Sequence, residues 1–144
     1  TQLSEKMYRR IHVDGCCQIH GSILQSEVIE KQKEADILLF VESFSEKNQS
    51  ARLSFSTKIT DYLNSGRCIW AIGNKDLSAI EYLGKENAAF ISSNINSIYL
   101  TLNQIISKKS LIQTFAKNAF FCRLFLHYSL SYVIIKEKRN IFAV

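Results

Sequence analysis

The sequence predicts an α/β domain built on a parallel sheet, and three observations predict it. Short unbroken apolar runs recur along the chain, as strands of a covered parallel sheet do. Segments with apolar residues at i, i+3 and i+4 separate them, which is the alternation of β–α–β units. No proline occurs where average usage would supply about seven, so nothing in the chain blocks helix formation. With 144 residues the chain holds one domain around one core, and residues 1–144 are read as a single unit.

The elements follow in order. Gln18-Ile19-His20 before Gly21 is a first candidate strand. Residues 26–33 read as a helix carrying Val28 and Ile29, with charges on its other side. Ile37-Leu38-Leu39-Phe40-Val41 has the pattern of a strand buried on both faces. Residues 57–65 place Ile59, Tyr62 and Leu63 on one helical face, and Gly66 supplies the left-handed stop. Cys68-Ile69-Trp70-Ala71-Ile72 is a second buried strand, with Trp70 in the core. Residues 76–83 put Leu77, Ile80 and Leu83 together, with Asp76 as N-cap and Gly84 as the stop. Residues 88–91 form a third strand. A helix over 97–107 is expected to bury Ile98, Leu102, Ile105 and Ile106. Another runs from Leu111 to about Leu126, where Phe115, Phe120, Phe121 and Phe125 recur at helical spacing. Within the tail 129–144, Tyr132–Ile135 reads equally as a strand or a helix end.

Composition narrows the classes. An apolar fraction of 47% with 22% charged residues belongs to a folded chain rather than a disordered one. The apolar stretch 119–135 is broken by Arg123 and His127 and is short for a bilayer span. Cys16, Cys17, Cys68 and Cys122 form no CxxC pair, so zinc and a disulfide framework are not expected, and a reducing, cytoplasmic location is. Residues 105–144 hold seven cations against Glu137 alone. Such a basic end suits either a solvated helix terminus or peripheral contact with an anionic inner membrane face. Its aromatics alternate with aliphatics as a core stripe does, so nucleic acid is not an expected partner.

In a parallel α/β sheet the ligand crevice lies at the carboxyl ends of the strands. The segments that matter are therefore 42–58, 73–76 and 92–94. Within the first, Ser54 and Ser56 are candidate N-caps, which leaves the amides of residues 56–58 free to meet an anion. Lys58 adds a full charge. Asp61, three residues on, is one turn along the same helix, and a carboxylate there suits the vicinal hydroxyls of a ribose. As a bare pair on an arbitrary helix, Lys58 and Asp61 read more simply as a surface ion pair; the surrounding pattern is what turns them into a site.

The stretch Ser-Phe-Ser-Thr-Lys-Ile-Thr-Asp-Tyr-Leu-Asn-Ser-Gly-Arg, residues 54–67, resembles a glycosyltransferase pattern, Ser-Phe-Pro-x-Lys-x-x-Glu-Tyr-Leu-Ala-x-Gly-(Lys/Arg)-Pro. That pattern belongs to two-domain GT-B enzymes similar to glycosyltransferase family 4. Upstream, Ile19-His20-Gly21-Ser22-Ile23, a helix and Ala35-Asp36 before a strand agree in order and spacing. Downstream, the helix 97–107, Ala116–Ala119 and His127 resemble the end of the same domain. The likeness spans about residues 11–128 and implies a Rossmann-like three-layer fold, the C-terminal, donor-binding half of a GT-B architecture.

By that resemblance Lys58 and the amides near Ser56 and Thr57 hold the donor diphosphate, and Asp61 takes the place of the ribose-binding glutamate. Gly21 and Ser22 lie where the backbone passes the base, and Glu42 opens the loop after the central strand. The implied ligand is a nucleotide diphosphate sugar, with no metal or other cofactor, and the implied reaction is sugar transfer to an acceptor hydroxyl in glycan or polysaccharide biosynthesis. Three positions depart from the pattern. Ser56 and Cys68 stand where proline is common, and Leu53 stands where many members carry a second glutamate. The domain's first strands and the acceptor domain, the expected home of the catalytic base, are expected before Thr1. The contrasting expectation is a non-catalytic flavodoxin-like module that binds a protein partner.

Overall fold

The three apolar runs become three strands of one parallel sheet. A computed structural model of the chain describes residues 5–11, 17, 23–44 and 57–123. Strands β1 (Ile37–Val41), β2 (Cys68–Ile72) and β3 (Ala89–Ser92) lie side by side in that order, both pairings parallel. Helices α1 (Glu5–Ile11) and α2 (Gln25–Glu34) precede β1. Helices α3 (Thr57–Ser65) and α4 (Ser78–Lys85) make the two crossovers. After β3 come α5 (Ile95–Ser107) and α6, residues 109–123. The chain is thus α/β with a parallel sheet among helices, consistent with a Rossmann-like fold. The candidate strand 18–20 and the tail beyond residue 123 lie outside the described residues.

Side chains alternate across a strand, so each face of the sheet has its own cover. On one face Phe40, Ile69, Ala71 and Ala89 pack against Ile59 and Leu63 of α3 and Ile80 and Leu83 of α4. Two successive right-handed crossovers put both helices on that side. Ala119 and Cys122 of α6 close the same core. On the other face Trp70 donates its indole N–H to Ser92 Oγ at 2.9 Å, and that oxygen lies 3.0 Å from Thr101 Oγ1 of α5. Phe90 meets Phe115 of α6 with ring centroids 4.4 Å apart.

Helix α3 has the predicted bounds, with Ile59 and Leu63 buried and Tyr62 packed beside them. It ends at Gly66, whose φ of +66° is the left-handed conformation that glycine adopts without a Cβ penalty.

Four expectations are corrected. Strand β1 is not buried on both faces: Leu38 and Phe40 are, but Leu39 and Val41 are 50% and 58% exposed. Among the described strands it lies at the edge, and α5 covers only its neighbours on that side. Helix α4 starts at Ser78 after Leu77 as N-cap, not at Asp76, whose backbone N–H instead bonds the Asn74 side chain at 3.0 Å. Gly84 is not the helix stop either. The helix runs through it to Lys85, and Asn87 takes the left-handed turn at φ 49°, a conformation asparagine tolerates. In α5 the residue fully buried is Thr101; Ile98 and Ile105 are half-buried, and Leu102 and Ile106 face outward. The hydroxyl pair Ser92–Thr101 sets that rotation, because a buried hydroxyl must find a partner.

Candidate functional site

Parallel strands end together, and here their exits are tied. Glu42 donates its backbone N–H to the Ile72 carbonyl at 2.8 Å, and Gly73 donates to the Ser92 carbonyl at 3.0 Å. These two bonds carry the ladder one residue past each strand, so the loops after β1, β2 and β3 leave from one edge. Gly73 permits the closeness. A Cβ there would stand 2.9 Å from Ile80 Cδ1 and 3.1 Å from the Glu42 carbonyl oxygen, at a φ of +156°.

Helix α3 leads through Gly66 and Arg67 directly into the start of β2, so its other end, Thr57, lies toward the carboxyl edge. Nine residues at 1.5 Å each make it about 13 Å long. Tyr62, at its middle, donates its hydroxyl to the Leu39 carbonyl at 3.3 Å, which registers the helix against β1. Burial of that phenol pushes its pKa up.

Each predicted site residue can now be placed. Thr57 is the first residue of α3 and is exposed; Lys58 and Asp61 are exposed on the same helix. They make no ion pair with each other; the described ion pairs are Arg9–Glu5, Lys31–Glu34, Lys33–Glu30 and Lys85–Glu81. Glu42 is half-buried at the exit of β1. Gly21, Ser22 and Ser56 lie outside the described residues, as do Ser54 and His127.

An opening of about 510 Å³ at this edge is lined by Phe44, Ser93, Asn94, Ile95 and Asn96. Among the described predicted residues, neither Lys58, Asp61 nor Glu42 lines it. What the residue pattern missed is that loop's own order. Asn94 caps α5 by accepting from the Ser97 amide at 2.8 Å, while the Ser97 hydroxyl accepts from the amides of Ser93 and Asn94 at 3.0 Å each. The signal was present as Asn followed three residues later by Ser at a helix start, a reciprocal cap. Lys75, in the loop after β2, is an exposed cation at the same edge.

Among the described residues no three His, Cys, Asp or Glu side chains converge as metal ligands would. Among them, too, no helix is long and apolar enough to cross a membrane. No family model, curated protein or solved structure matches the chain.

Proposed function

We propose that the chain is the donor-binding domain of a glycosyltransferase of GT-B type, holding a nucleotide diphosphate sugar while the sugar passes to an acceptor hydroxyl. The observation that carries this reading is the position of α3. Its amino end, with exposed Lys58 and Asp61, turns toward the carboxyl edge of a parallel sheet, where such folds bind phosphates. The amides of a first helical turn lack intrahelical partners and carry partial positive charge, which an ammonium at Lys58 reinforces. Asp61, one turn on, offers a carboxylate to a ribose. The chemistry asked of such a site is stabilisation of negative charge growing on the diphosphate leaving group. Catalysis further requires an acceptor-side domain with a base, and peripheral membrane contact through the basic end belongs to the same proposal.

Titration of the full chain with UDP, GDP and ADP by calorimetry tests it. Saturable binding to one of them is expected. Lys58→Ala and Asp61→Ala should each weaken it by about 1.5–3 kcal/mol, the scale of a hydrogen bond to a charged group. Both side chains are exposed, so neither change should disturb the fold. Affinity unaltered in both variants would transfer the argument to a partner-binding module.

A further inference from the structure

The outward face of β1 and the flank of α5 beside it form one apolar groove. At its upper end Phe44, just past β1, stands across an opening from Ile95. At its lower end Ile37 stands across a second opening from Ile105 and Ile106. Helix α5 therefore runs alongside β1 from its exit back to its start. Leu39 and Val41 make the floor between the two ends. One wall is Ile95, Tyr99, Leu102 and Ile106, spaced i, i+4, i+7 and i+11, the seam that packs helix on helix. Ile95, Tyr99 and Ile106 are each about two-thirds exposed.

The groove has the dimensions of one helix. Strands lie about 4.8 Å apart and a helix is about 10 Å wide, so α5 covers two strands and leaves room for one more helix over β1. From Ile37 to Phe44 the floor runs about 25 Å at ~3.3 Å per residue, and α5 itself, 13 residues, is about 20 Å long. Helix α5 contains no charged residue, and neither does β1. The charges that line it sit at the lower opening, Asp36 and Lys109.

We infer that this groove is a self-association surface, in which α5 of a second copy of the chain lies over β1 and the arrangement is reciprocal. A two-fold axis along the strands places the two α5 helices side by side and parallel between the two sheets. Each chain then brings Lys108 and Lys109, just past its α5, to the other copy's Asp36. The lower end is matched in charge, the upper end is uncharged, and no ionised group enters the middle. The six side chains of floor and wall present on the order of 700 Å², at roughly 200 Å² for each if fully free, against the ~800 Å² per partner of a standard stable interface. The inference is independent of any donor site on α3.

Sedimentation equilibrium of the full chain, with far-UV circular dichroism of each variant, tests it. Wild type is expected at twice the monomer mass of 16.5 kDa. The double variant L102E/I106E should raise the dimer dissociation constant at least ~100-fold while keeping the wild-type dichroism, because two carboxylates would be buried without partners. L100E, a change at an equally exposed position on the opposite flank of α5, should leave the dimer intact. A wild type that stays monomeric up to roughly 100 µM, or a dimer that survives L102E/I106E or dissociates in L100E, would overturn the inference; in the monomeric case the groove belongs to a different partner.

Discussion

Two glycines at the residue scale have opposite meanings. Gly73 sits at φ +156° with Ile80 and Glu42 atoms within about 3 Å of where a Cβ would be. Gly73→Ala should therefore lower stability by ~1–3 kcal/mol, since the carbonyl of Glu42 is backbone and can yield little. Gly84 lies in the interior of α4, where a Cβ would meet only Ile91 Cγ1 at 3.7 Å, an ordinary contact. Gly84→Ala should raise stability by about 0.5–1 kcal/mol through helix propensity and a less free unfolded chain. Urea denaturation of the two variants reads both signs. The spacing of glycines in the chain marks both positions alike; only the neighbours of each α-carbon separate a required glycine from a tolerated one.

At the scale of elements, the junction of β2, β3 and α5 turns on one hydroxyl. Ser92 Oγ accepts from the Trp70 indole and donates to Thr101, where α5 covers β2 and β3. Ser92→Ala leaves the indole N–H and the Thr101 hydroxyl unpartnered, and should cost ~1–3 kcal/mol. Trp70 is the single tryptophan, so its emission should shift to the red in the same variant as the indole seeks water. Unchanged emission together with unchanged stability would mean that α5 is held by its apolar contacts alone. This pair also explains why the apolar pattern of 97–107 misplaced the buried face. Periodicity counts Leu102 and Ile106 as core because they are apolar, whereas the helix is rotated to satisfy Ser92. Strands β1 and β2 and helix α3 were legible to the residue, because an unbroken apolar run or an i, i+3, i+4 stripe ending in glycine leaves little choice of state.

At the scale of the whole molecule, the buried thiol of Cys68 links stability to pH. Burial pushes its pKa from 9.0 up to about 12, and burial raises Tyr82 from 10.0 to about 12. Below pH 9 both groups are protonated whether the chain is folded or not, so their contribution is fully present there. Above it the unfolded chain ionises first, and stability is lost progressively toward pH 12, by up to ~1.4 kcal/mol per pH unit for the buried Cys68 thiol and by less for the partly exposed Tyr82. Chemical denaturation between pH 8 and 11 should show that decline, and Cys68→Ala should make it shallower. The same burial predicts that alkylation of Cys68 in the native protein is limited by unfolding.

The sequence alone determined the alternation of strands and helices, the parallel class of the sheet and the residues at its carboxyl edge. Those follow from local periodicity, and topology rules leave few ways to join such pieces. It also supplied the pattern around Lys58 and Asp61 on which the proposed donor site stands. Tertiary structure alone decided that β1 lies at the edge of the described strands with Leu39 and Val41 exposed, that α5 turns its most apolar stripe away from its own sheet, and that Gly73 rather than Gly84 resists a Cβ. The physical reason is common to all three. A residue's character is written in the chain, but what lies against it depends on segments far away in sequence, and only their packing shows which apolar surface has found a partner.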